Sequence, residues 1–176
     1  AKRTVILYTF SRKFAMTGWR RGCAVAPVPV AEMIAKLNTN DESCTTHFVQ
    51  AAGVEAIANP EGAAPMLAEL QRRRDAAVDG LSTIDGVACA TPEATFYLFP
   101  NVTAVMSRMG FADVGDFATA ALQNTGVSFC TRQHFGRSQA DEVEQYIRLA
   151  YSGISVGDIA EGLDRLAAWA TTGGAT

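Results

Sequence analysis

Between Thr9 and Gly22 the chain reads TFSRKFAMTGWRRG. Small hydroxyls, an adjacent pair of cations, a sharp turn and a further arginine follow the end of an apolar strand. Hydroxyls and a fixed guanidinium converging at the end of a strand can cradle a phosphate. The same string also fits an exposed, basic strand-to-turn segment with no ligand. Within it, Arg12 and Lys13 are not equivalent. A guanidinium stays protonated and is a poor nucleophile, whereas a lysine amine can lose its proton and act as one.

A second arginine of interest is Arg148, in the apolar run Tyr146 to Ser152 (YIRLAYS). On a strand, such a residue fits a structural salt bridge. His47 and His134 fit structural roles. Arg72, Arg73 and Arg74 fit the solvated face of a helix. Cys23, Cys44, Cys89 and Cys130 are far apart in sequence and show no Cys-x-x-Cys or Cys/His ligand spacing, so no metal site is expected. Their apolar or small-residue surroundings predict reduced, buried thiols and a cytoplasmic protein.

These residues need a scaffold, and 176 residues with 48% hydrophobic and 19% charged content suit a globular fold. A formal charge of -3 argues against a nucleic-acid partner. No apolar run approaches the roughly 20 residues of a membrane span, and Ala1-Lys2-Arg3 leads into an apolar strand too short for a targeting segment. Thr4 to Phe10 reads as a strand covered on both faces, as in a parallel sheet. Cys23 to Ala26 is a second short strand. Helices are predicted over 28–37, over 45–58 with a cap at Ser43 or Thr45 and a face of Phe48, Ala51, Ala52 and Glu55, and over 63–81, stopped near Gly80. Strands follow at 87–90 and 95–99, a helix at 114–123 opened by Asp113, strands at 127–131 and 146–151, and a last helix at 156–170 capped by Ser155. Thr171 to Thr176 is expected to fray.

The string Phe14-Ala15-Met16-Thr17-Gly18-Trp19-Arg20 resembles, without a gap, the cofactor-lysine motif of fold-type I aminotransferases, Ser-x-Ser-Lys-x-Phe-Ala-Met-Thr-Gly-Trp-Arg-x-Gly. Four other segments are similar to the same family. Pro92 to Pro100 resembles its Pro-x-Gly-x-Phe-Tyr-Leu-Phe strand, with Ala94 for the glycine. Tyr146 to Ser152 resembles its substrate-arginine strand. Val127 to Gly136 resembles its Phe-Gly turn, with Phe135 as a cleft-lining residue, and the Ile159-x-x-Gly162-Leu163-x-x-Leu166 helix fits as well.

The resemblance implies an α/β fold: the C-terminal part of a large pyridoxal-phosphate-binding domain (1–62, mostly parallel sheet with helices), a connecting helix (63–81), a small α+β domain (82–170) and a tail (171–176). It implies pyridoxal 5'-phosphate as cofactor, held at its phosphate by Thr9, Ser11 and Arg20, and a substrate α-carboxylate held by Arg148. It implies amino acid and 2-oxo acid substrates, and as partner a second copy or a chain carrying the N-terminal half. The family's lysine position holds Arg12, and Lys13 lies one residue on, which in an extended segment would face the opposite way. The family's ring-stacking aromatic, its ring-oxygen asparagine and its Asp-x-x-Tyr lie N-terminal to the matched region.

Two readings of function follow. One is a pyridoxal-phosphate-dependent aminotransferase, present as an incomplete chain. The other is a non-catalytic fragment or pseudoenzyme lacking the lysine. An unrelated α/β binding module is disfavoured by the order of the motifs.

Overall fold

In the computed structural model, residues 3–137 and 141–172 are described. They form two compact units, Ala1–Leu67 and Ala68–Thr176, whose boundary falls inside a helix. Among the described residues no helix is long and apolar enough to cross a membrane.

The first unit starts with a hairpin. Strand β1 (Ile6–Thr9) pairs antiparallel with β2 (Gly22–Val25), in the register Ile6 to Val25 and Thr9 to Gly22. The segment rich in hydroxyls and cations is therefore the connection of this hairpin. It opens with the single helical turn α1 (Phe10–Lys13) and continues through a 3-10 turn at Thr17–Trp19. Two non-glycine residues, Ala15 and Arg20, stand at φ +53 and +52, the left-handed region.

The expectation of a strand covered on both faces is corrected here. All of β1 is exposed, Leu7 at 81%. Among the described residues no second layer within the unit covers it, and its one described neighbour is antiparallel, not parallel. The expected buried thiols are corrected for a related reason. Cys23 lies exposed on β2 and Cys44 exposed in a loop, while Cys89 and Cys130 are half-buried.

Helix α2 (Val28–Asp41) accepts Pro29 in its first turn, where a missing N–H costs nothing, and runs four residues past the predicted end at Leu37. Helix α3 (His47–Ala58) differs from its predicted form in cap and face. Neither Ser43 nor Thr45 caps it; Thr46 takes the N-cap position without a side-chain bond. Its buried residues are Val49 and Gly53, while Phe48 is exposed.

The reason is Arg21. Its guanidinium donates to the carbonyls of Val49, at 2.7 Å, and of Gln50. It also lies 4.8 Å from the Phe10 ring centre. Gly53 makes room for it: a Cβ there would sit 2.3 Å from the Arg21 Nη1.

A 3-10 turn at Pro60–Ala63 leads into α4 (Ala64–Ser82). Gly80 does not stop this helix. It lets the Leu163 side chain approach, since a Cβ would lie 2.6 Å from the Leu163 Cδ1. The second unit holds an antiparallel sheet in the order β3 (Tyr97–Leu98), β5 (Ile147–Ala150), β4 (Cys130–Thr131). These strands are shorter than the sequence predicts, and 87–90 is reduced to one bridge between Ala88 and Asn101. Short pairing suffices because helices supply most of the core.

Helix α5 (Thr103–Met109), which no sequence pattern announced, buries Val105, Met106 and Met109 and ends at Gly110, φ +83. Helix α6 (Val114–Thr125) buries Val114, Phe117 and Ala121. Helix α7 (Val156–Thr172) lays Ile159, Leu163, Leu166 and Ala170 into the same core, each large side chain contributing about 1.5–3 kcal/mol by burial. Ser155 accepts from the Asp158 N–H at 3.1 Å, as expected of a cap. The predicted frayed tail lies outside the described residues from position 173 on; Thr171 and Thr172 belong to α7.

Two stability predictions follow. Gly53→Ala should destabilise the chain by about 1–3 kcal/mol, because the new methyl displaces Arg21. In an Arg21→Ala background the same change should stabilise it, by up to about 1 kcal/mol of helix propensity. Urea melts of the four chains measure this reversal of sign. Asp113 caps α6, accepting from the N–H groups of Asp116 (3.1 Å) and Gly115 (2.7 Å), which hold its carboxyl below the usual carboxylate value. The stabilisation is present above the unfolded-state value and is lost as pH falls through the lower folded-state value. Asp113→Ala should cost about 1 kcal/mol at neutral pH, and Asp113→Asn should keep the cap while removing this pH dependence from melts recorded down the acid limb.

Candidate functional site

The hairpin connection in the first unit is organised by a relay of local bonds. Thr9 is the N-cap of α1, its Oγ1 accepting from the Ser11 N–H at 3.2 Å. The Thr17 hydroxyl donates to the Ser11 carbonyl at 3.1 Å. Arg20 donates from Nη1 to the Thr17 carbonyl at 2.9 Å. Thr9, Ser11 and Arg20 are thus linked through Thr17, a hydroxyl that sequence reasoning did not single out.

No acidic residue occurs between Thr4 and Ala31, whereas Arg12, Lys13, Arg20 and Arg21 all lie there. The field over the connection is positive, which suits an anion. Arg20 also lines an open cleft of about 730 Å³ with Trp19, Glu42, Thr45, Thr46 and Phe48, so that cleft carries one acidic group as well; Thr9 and Ser11 are not part of its lining.

Arg12 and Lys13 are both exposed and both belong to α1. The expectation that they face opposite ways is corrected: in a helical turn successive side chains are about 100° apart, not 180°. The Lys13 Nζ sits 5.3 Å from the Phe14 ring centre.

In the second unit Arg148 stands in β5, opposite Cys130 of β4. It is half-buried. Its guanidinium carbon is 4.4 Å from the Tyr97 ring centre and 4.7 Å from that of Phe135. Nη2 is 3.5 Å from the Cys130 sulfur, and among the described residues no carboxylate pairs with it.

His134 is structural here, in keeping with its sequence reading. Its Nδ1 accepts from the Thr131 N–H at 3.1 Å and lies 2.9 Å from the Thr131 hydroxyl, closing the turn that presents Phe135. His47 is the exposed first residue of α3. A cleft of about 620 Å³ in this unit runs along Val127, Ser128, Ala150, Tyr151, Ile154 and Glu161; Arg148 is not in its lining.

Sequence reasoning missed Arg21, Thr17 and Tyr97 as parts of these arrangements. A signal existed for Arg21: an isolated glycine inside a helical pattern, Gly53, marks a close approach by something else. The contact of Tyr97 with Arg148 has no local signal, because a strand pairing brings it there.

A positive, hydroxyl-lined hairpin connection lies on one unit and a ring-held arginine on the sheet of the other, and both are groups suited to anions. The profile of the class I and II aminotransferase family matches residues 1–166, and the chain belongs to that family. It is 31% identical to an asparagine–oxo-acid transaminase of Streptococcus mutans over 169 residues, covering 96% of this chain and 41% of that protein. It is 32% identical to an aspartate aminotransferase of Rhizobium meliloti, covering 94% and 40%. The crystal structure of the aspartate aminotransferase from Rhizobium meliloti superposes with a TM-score of 0.83 at 30% identity, over 97% of this chain and 42% of that one. An aromatic aminotransferase from Pyrococcus horikoshii superposes with a TM-score of 0.82 at 26% identity, over 95% and 42%. The chain therefore spans about 40% of the length of the relatives it matches, and the α/β fold corresponds to a part of an aminotransferase.

Proposed function

We propose that the protein to which this chain contributes is a pyridoxal-phosphate-dependent aminotransferase that moves an amino group between an amino acid and a 2-oxo acid. The observation that carries this reading is Arg148: half-buried, held against Tyr97 and Phe135, and without a carboxylate partner among the described residues. A cation kept in this way is available to a substrate α-carboxylate. In this reading residues 1–62 belong to the large cofactor domain, 63–81 to a connecting helix and 82–170 to the small domain.

The residues present fit the phosphate end of the cofactor. The Thr9 Oγ1 accepts one backbone N–H and keeps its own proton to donate. Arg20 spends one nitrogen on the Thr17 carbonyl and keeps the rest of its fork. The surrounding cations match a phosphate dianion. When bound, pyridoxal phosphate supplies the electron sink that the reaction needs. Within this chain Thr9, Ser11 and Arg20 would bind its phosphate, and Arg148 would orient the substrate by its carboxylate.

The residues do not fit covalent attachment, because Arg12 stands at the family's lysine position. This favours a second reading, a non-catalytic fragment or pseudoenzyme. Lys13, about 100° round the same helical turn, is the alternative amine. Adding pyridoxal phosphate, reducing with borohydride and locating any covalent adduct by peptide mass separates these possibilities. The unsubstituted chain is expected to give none that inorganic phosphate competes away, and Arg12→Lys should gain one at position 12. A competed adduct lost in Lys13→Ala would assign the attachment to Lys13 and restore the catalytic reading.

A cytoplasmic location is part of the proposal and is supported by the free thiols of Cys23 and Cys44. So is assembly with a second copy or with a chain carrying the N-terminal half. The first unit leaves Leu7, Val25, Val28, Leu37, Phe48 and Val54 exposed at 60% or more, more apolar surface than a monomer of this size is expected to carry. Light scattering on the purified chain is expected to show self-association, and a monodisperse monomer with a cooperative melt would refute it.

A further inference from the structure

Arg148 is held by neutral groups. Tyr97 comes from β3, whose register places it opposite Ala150, two residues along β5 from Arg148. Phe135 comes from the 3-10 turn Arg132–Phe135, and that turn is anchored at its start. At its start Thr131 and His134 bond reciprocally. Arg132 pairs with Glu142 through two contacts, Nε to Oε1 at 2.6 Å and Nη2 to Oε2 at 3.0 Å. Phe135 also meets the edge of Phe99 at 6.3 Å, and Phe99 stacks on Tyr146 at 5.1 Å and 3°. Phe135 and Phe99 remain 45% and 46% exposed, so burial alone does not account for a turn built this firmly.

Rings hold a guanidinium through its flat face, by quadrupole attraction and stacking, and leave its in-plane N–H groups free. A carboxylate holder would neutralise the charge and occupy those donors. The Cys130 sulfur, 3.5 Å from Nη2, is only a weak acceptor.

We propose that Tyr97 and Phe135 are positioning residues that set the plane of the Arg148 guanidinium, so that the site selects a planar carboxylate meeting it edge-on over a tetrahedral anion. This rests on the carboxylate reading of Arg148 and adds to it the origin of the selectivity.

The test uses the whole chain with Tyr97→Leu, Tyr97→Phe, Phe135→Leu and Arg148→Ala. The first readout needs no ligand: the NMR position and order parameter of the Arg148 Nε–Hε group, which nearby rings shift and immobilise. Both leucine variants are expected to move the resonance toward its random-coil position and to lower the order parameter, and Tyr97→Phe to retain both. The second readout is the affinity for 2-oxoglutarate relative to inorganic phosphate. The leucine variants should weaken 2-oxoglutarate by roughly two- to thirtyfold with a smaller effect on phosphate, while thermal melts report folding separately. An Arg148 resonance unchanged in both leucine variants, or equal losses for the two anions, would overturn the positioning role. Failure of the unsubstituted chain to bind 2-oxoglutarate, or binding that survives Arg148→Ala, would instead count against the carboxylate reading, with the NMR readout still deciding the positions of the rings.

Discussion

A guanidinium held by aromatic rings and neutral acceptors is ordered without being neutralised, and each compact unit is organised around one. In the first unit Arg21 reaches two carbonyls of α3 and the face of Phe10. The hairpin connection, with its left-handed residues and helical turn, keeps its place against α3 because of that reach, and Gly53 is the space that permits it. In the second unit Arg148 is held by Tyr97 and Phe135 in the middle of the sheet. A bare buried charge is costly, whereas rings and carbonyl dipoles offset much of that cost and leave the net charge in place.

The other arginines show the contrast. Arg72 and Arg73 pair with Glu69, Arg108 with Asp85, Arg132 with Glu142 and Arg165 with Glu161. The exposed pairs among them contribute little to stability, but all of them spend the cation locally. Arg20 and Arg148 have no such carboxylate partner among the described residues, and they are the two arginines that the family resemblance singles out for anionic ligands.

The family's defining amine is where this chain departs. Seven consecutive residues from Phe14 to Arg20 keep the string that the sequence resembles, and that resemblance puts Arg12 at the lysine position. The helical form of α1 then matters. A strand would have turned Lys13 fully away, whereas a helical turn leaves it a partial rotation from the family position. An arginine there can bind an anion but cannot form a bond to an aldehyde.

Much was legible in the sequence. Gap-free motifs identified the family, and local rules identified Asp113 and Ser155 as caps and α7 as an amphipathic helix, because caps and helical faces depend on residues within a turn or two of each other. Thr9, Ser11, Arg20 and Arg148 could be named from their motifs. Tertiary structure alone decided what holds them. That β1 lies exposed and antiparallel, that Gly80 admits Leu163 and does not end α4, and that α5 exists at all, depended on which surfaces meet. The contacts Arg21 to α3 and Tyr97 to Arg148 join residues 28 or more positions apart. Pairings of that span come from the packing of whole elements, which short-range sequence patterns do not encode.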